Sequence, residues 1–249
     1  MHIDKELIER ALADLPKLKA AIKAIPSLSI QCPNYPSELA LTEAEKLINV
    51  FCRNSLRTLY YAKNFLTNLL NLQCVQLKPA AIGETIGVPV QDDIFFDFDA
   101  FVFSAKSIFS QDILKKSQTL HKDAAVPFRR LALEAKRNFI DPILNNVRNE
   151  VVHLNVYGSS IGSFVRLTNL GDRWAVRILT TFYTADGKEI DLIDLFLRIF
   201  NPTRDLIMQI LGAFLLHLFR TFGKPERNAG YVSDGAEIRI ADFPIPENR

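Results

Sequence analysis

Apolar residues three and four apart dominate the first third of the chain. Leu7, Ile8, Leu12, Leu15, Leu18 and Ile22 follow this rhythm, and Leu47, Ile48, Phe51, Leu56, Leu59, Tyr60, Phe65, Leu69 and Leu70 repeat it. The spacing gathers side chains on one face of a helix and is incompatible with the two-residue alternation of a strand. Two long helices, each with an apolar face, have to bury those faces against other helices, which predicts a mainly α helical bundle. The first helix is expected over residues 4–25, ended by Pro26, with a connector over 27–37 that carries Pro33 and Pro36. The second is expected to start at Thr42 as N-cap, with Glu45 three residues on completing a capping box, and to stop near Leu72.

Between 73 and 91 the chain carries Pro79, Gly83, Gly87 and Pro89, so a loop with one short extended piece is expected. Asp92 and Asp93 open a third helix, where acids suit the helix dipole. From Phe95 to Phe109 apolar residues point to nearly every side, predicting a helix at the centre of the bundle, with Ala100, Ser104 and Ser107 as a small-residue stripe. A fourth helical region is expected over 125–153, broken near Pro142. Residues 164–167 and 174–183 read as strands, and the turn signals Gly171-Asp172 and Asp186-Gly187 make an antiparallel hairpin of them. A last helical region over 190–222, restarting at Pro202, precedes a polar tail in which 237–240 reads as an edge strand. No repeat or linker divides the chain. One domain over 1–249 is expected, with its helical core at 4–153 and 190–222, a small antiparallel β element at 163–184 and a tail at 223–249.

Hydrophobic residues make up 48% and charged residues 23%, which excludes a disordered or fibrous chain. A net charge of +2 is too small to announce a nucleic-acid binder, yet a local basic stripe would suffice for one. Cys32, Cys52 and Cys74 are odd in number and widely spaced, without a zinc-ligand pattern, so free thiols in a reducing, cytoplasmic setting are expected. The start, Met1-His2-Ile3-Asp4-Lys5, has no signal-peptide character. The apolar run 206–219 is interrupted by Gln209 and His217 and falls short of the roughly 20 residues of a membrane span, so it reads as a core helix and no membrane is expected.

The stretch best suited to chemistry is Arg148-Asn149-Glu150-Val151-Val152-His153. On a helix Asn149 and His153 share a face, while Arg148 sits about 140° around from His153, within reach of its long stem. Together they suit RNA cleavage by its own 2′-hydroxyl. A histidine moves protons near neutrality, an arginine fork stabilises phosphate charge, and an amide positions the phosphate or the imidazole. That chemistry needs neither metal nor cofactor. One histidine does not easily serve as both acid and base, so a composite site at a homodimer interface is expected.

The Arg148-Asn149-x-x-x-His153 stretch resembles the Arg-x4-6-His motif of the HEPN superfamily, including its frequent polar residue after the Arg. The acid-and-aromatic helix Phe96-Asp97-Phe98-Asp99-Ala100-Phe101 ahead of it is also similar to that superfamily. The resemblance spans roughly 92–153. It implies a helical, often dimeric, metal-independent endoribonuclease acting on single-stranded RNA in defence, toxin–antitoxin or RNA turnover, with an antitoxin or accessory protein as a further partner. The alternative is a non-catalytic helical module that binds a partner protein or RNA. The chain departs from the family in two ways. His153-Leu154-Asn155 lacks the Tyr of the His-x-Tyr variant, with Tyr157 displaced, and the predicted strands are an appendage to an all-helical fold.

Asp97 and Asp99, two apart, point away from one another and cannot form an acid/base pair. One is expected among the Phe side chains, either with Arg148 or His153 as partner, orienting the site, or in a structural ion pair elsewhere in the bundle. Arg129, Arg130, Lys136 and Arg137 form a loose basic run upstream, able to guide an RNA backbone. His217, in an apolar surround, reads as a core histidine hydrogen-bonded to backbone, and His121 as a surface residue. Residues 158–162 lack the Lys of a P-loop and read as a turn.

Overall fold

The structure is a computed structural model that describes residues 3–36, 41–73, 87–88, 92–108, 110–148, 161–169, 174–183, 189–225, 230–233 and 235–246. Helix α1 (Ile3–Ile30) buries Ile8, Leu15, Leu18, Ile22 and Ile25. It runs through Pro26 instead of ending before it. Pro26 lies on the exposed side, and one lost backbone bond costs about 3 kcal/mol. Burying Ile25 and Leu28 completely returns about 1.5–3 kcal/mol each. Ser29 then secures the end of the helix, its hydroxyl donating to the carbonyls of Ile25 at 3.0 Å and Pro26 at 2.8 Å.

Helix α2 (Glu43–Gln73) begins with the predicted capping box. Glu45 N–H donates to Thr42 Oγ1 at 3.2 Å, and Thr42 N–H donates to Glu45 Oε2 at 2.8 Å. After the two-residue strand β1 (Gly87–Val88) comes α3 (Asp92–Ile108), packed along α2. Its inner side, Ile94, Phe98, Phe101 and Ala105, is buried, but Phe96 is 68% and Phe103 42% exposed, so α3 lies at the surface of the bundle. The central position belongs to the last long helix. Short α4 (Gln111–Lys115) leads through a 3-10 turn (Lys116–Thr119) to α5 (Lys122–Ala135).

Helix α5 passes into a π-helical stretch, Lys136–Leu144, and the described chain stays helical to Arg148. The expected break at Pro142 is a widening instead. Asn145 N–H reaches Ile140 O, five residues back, in the wider hydrogen-bond pattern that absorbs irregularities in a helix.

Strands β2 (Ile161–Asn169) and β3 (Trp174–Tyr183) form the predicted antiparallel hairpin, with Phe164 opposite Leu179. Strand β1 and a further strand, β4 (Glu189–Asp191), extend it to a sheet of order β1-β2-β3-β4. From β4 the chain turns directly into α6 (Leu192–Phe222), whose N-cap Asp191 accepts from Ile193 N–H at 2.9 Å. Pro202 does not restart this helix, which is continuous. Every residue from Ile210 to Leu218 is buried, so α6 is surrounded on all sides there. Phe196 on α6 packs against Phe65 of α2 at 4.8 Å and Phe101 of α3 at 4.7 Å between ring centroids.

Among the described residues, α6 alone is long and apolar enough to cross a bilayer, and 67% of its most apolar window is buried inside the protein, as in a core helix. The tail folds back over it. Strands β5 (Gly230–Ser233) and β6 (Ala236–Arg239) form a hairpin against α1, so the predicted edge strand is half of a pair. A 3-10 turn (Ile240–Asp242) then brings the Pro244 main chain directly onto Gly212 of α6. The protein is mainly α with a small antiparallel β element.

Candidate anion site on the third helix

The candidate site lies where the helical run after the π stretch meets the outer side of α3. Phe103 faces outward there, seven residues beyond Phe96 and on the same side of the helix. The Arg148 guanidinium carbon lies 5.4 Å from the centre of the Phe103 ring, a cation–π placement. Arg148 as a whole is half-buried. Lys106, one turn beyond Phe103, belongs to the same patch. Its pKa is held below the ordinary ammonium value by burial and then by the neighbouring Arg148 charge, with Asp141 opposing both. A bound anion would relieve the unfavourable Arg148 charge that Lys106 feels. Asp141 lies at the edge, accepting from Asn145 at 3.0 Å.

The other two members of the expected trio, Asn149 and His153, lie outside the described residues. Asp97 and Asp99 are half-buried and not sealed among phenylalanines. Asp97 Oδ2 accepts from the Asn68 amide of α2 at 2.9 Å, so its work is to tie α3 to α2. Of the expected RNA-guiding residues, Arg129 donates from Nε to Ser117 Oγ at 3.2 Å, bracing the turn before α5. Arg130 faces Glu134 at 3.9 Å, and Arg137 is exposed. Arg130 and Arg148 are separated by about 25 Å of helix, so they do not form one patch. Phe103 and Lys106 were hidden in the sequence because an aromatic helix reads as core. The seven-residue step from Phe96 to Phe103, opposite Ile94 and Phe101, was the available signal.

A second polar group lies inside the bundle. His217 is buried and its Nδ1 accepts from the His121 backbone N–H at 2.9 Å, the predicted core role. Burial, then the His121 charge, pushes its pKa down to about 4, with Glu45 opposing. His121 itself is half-buried and caps α5, its Nδ1 accepting from Asp123 N–H at 3.3 Å, so it is more than the expected surface residue. Burial alone would raise the Glu45 pKa, but bonds from the Thr42 amide, the Tyr35 hydroxyl and the Thr42 hydroxyl outweigh it and hold the carboxyl below its ordinary value. These groups satisfy one another and lock helix ends together. Among the described residues, no three His, Cys, Asp or Glu side chains gather as a metal site requires.

No protein-family model matches the chain, and no curated protein or solved structure is significantly similar to it.

Proposed function

We propose that the protein is a metal-independent endoribonuclease of HEPN type that cleaves single-stranded RNA by transesterification through the 2′-hydroxyl. The observation that carries this reading is the Arg148 guanidinium, held over Phe103 and beside Lys106 on a half-buried residue. Positive charge fixed in advance, where phosphate charge builds up in the transition state, is what such a reaction asks of a protein. In this reading Arg148 stabilises the phosphorane, His153 transfers the proton and Asn149 positions the phosphate. A second copy of the chain supplies the complementary acid or base, so the active form is a homodimer. An antitoxin or accessory protein would cover the same site.

The test is cleavage of a single-stranded RNA by the full chain in EDTA, beside Arg148→Ala and His153→Ala. Cleavage leaving 2′,3′-cyclic phosphate ends, reduced about 100-fold or more in either variant, is expected. RNA binding without cleavage by the unaltered protein would select a non-catalytic binding module instead. Cleavage that persists in both variants would remove these residues from the chemistry.

A further inference from the structure

Helix α5 lies on the outside of the bundle, packed chiefly against α6. Its inner side is small and apolar, with Ala124, Ala125, Phe128, Ala132 and Ala135 buried. The outer side is not the uniformly polar face that solvent would select. Val126 is 68% and Leu133 67% exposed, seven residues apart along one line of the helix. At about 100° per residue, Lys122 and Arg129 stand on one flank of that line and Arg130 on the other. Lys136 and Arg137 carry the pattern into the π stretch, and all five cations are exposed. Their charge is largely uncompensated. Among the described residues no ion pair engages Lys122, Lys136 or Arg137, and Arg129 donates to a neutral hydroxyl, Ser117 Oγ, at 3.2 Å. Glu134 is the carboxylate that faces the group, 3.9 Å from Arg130. Asp123 pairs instead with Arg220 at 3.1 Å, and Asp141 lies a turn beyond, bonded to Asn145.

We infer that this face of α5 rests on the surface of a membrane rich in anionic phospholipid. An interfacial helix sets aliphatic side chains among the headgroups, while the long Lys and Arg side chains on its flanks reach the phosphates. Each such cation near an anionic bilayer tightens binding about fivefold. Other occupants match the face less well. A second copy of the chain would bring the same positive charge against itself. RNA would leave Val126 and Leu133 uncovered, because bases stack on aromatic rings and no exposed ring stands on this face. Protein interfaces anchor on large aromatic side chains and are poor in Lys. The contact is peripheral and needs no spanning segment. It uses neither Arg148 nor Phe103, so it is independent of the RNA-cleaving reading.

The full chain is sedimented with vesicles of phosphatidylcholine alone, and with vesicles in which about a third of the lipid is phosphatidylglycerol. Binding about tenfold tighter to the anionic vesicles is expected, weakening as salt is raised. Val126→Ser with Leu133→Ser should weaken it about tenfold or more, and Lys122→Gln with Arg137→Gln about twentyfold. All four positions are exposed, so circular dichroism should match that of the unaltered protein. If the serine pair does not fold, Leu133→Ser alone carries the comparison. The inference is overturned by absence of binding to the anionic vesicles, by equal binding to both kinds, or by unchanged affinity in the folded variants. Single-stranded RNA or an acidic peptide that this face holds where vesicles are not bound, with affinity lost in the glutamine pair, would overturn it too.

Discussion

Gly212→Ala sets two opposing effects against each other in the middle of α6. Alanine is the better helix former by about 1 kcal/mol, so in an open helix the change would stabilise. Here the added Cβ would lie 2.4 Å from the Pro244 carbonyl oxygen and 2.8 Å from its carbon, about 1 Å short of an ordinary contact. The obstacle is main chain, which cannot rotate away as a long side chain would. Overpacking of this kind costs about 1–3 kcal/mol. The tail could escape by peeling off, but Phe243 is only 5% exposed, and uncovering it forfeits about 1.5–3 kcal/mol. Taking the upper part of the overpacking range and subtracting the helix gain leaves a net loss of about 1–2 kcal/mol. For a chain of this size that lowers Tm by about 2–8 °C. Thermal melts followed by circular dichroism give the shift, and trypsin cleavage after the exposed Arg239 reports whether the tail has loosened. A raised Tm with an unchanged cleavage rate would refute the close approach of Pro244 to α6.

Three further outcomes follow from the same geometry. Thr42→Ala removes the cap on α2 and should cost about 1 kcal/mol, read as a lower urea midpoint at unchanged slope. His217 has a folded pKa of about 4, below its ordinary 6.5, so the fold favours its neutral form. The unfolded chain therefore binds more protons between those values, and this contribution to stability, full above pH 6.5, is lost as pH falls towards 4. His217→Gln, which can still accept from the His121 amide, should flatten that acid limb in a series of denaturant titrations. Under the proposed RNA-cleaving function, Phe103→Leu removes the platform under Arg148, worth about 0.5–1 kcal/mol, and should slow cleavage about two- to fivefold while circular dichroism stays unchanged.

The helical architecture was legible because its signals are local. Thr42 and Glu45 announced their reciprocal bonds three residues apart, and the hairpin of β2 and β3 followed from strand composition and turn residues. The errors share one physical source, competition between a local preference and the tertiary core. Pro26 and Pro202 carry the same local stop signal, yet the burial of Ile25, Leu28, Phe200 and Thr203 holds both helices straight through. Position within the bundle was less legible still. A helix rich in phenylalanine and a helix rich in leucine both look central, and only packing shows that Ile210–Leu218 is enclosed while Phe96 and Phe103 face outward. The candidate site was half visible. Arg148 could be singled out by its spacing from His153, but Phe103 and Lys106 come from another helix and share no motif with it.

The π stretch over Lys136–Leu144 gives the chain an unusual sensitivity to length. Each residue of a wide turn advances around the axis by less than the 100° of an α-helix, so the stretch acts as a phase shifter for everything that follows it. Shortening it by one amino acid would let the run regularise with little loss of helix. The Arg148 guanidinium would then be expected to rotate off the Phe103 ring, while the bundle itself survives.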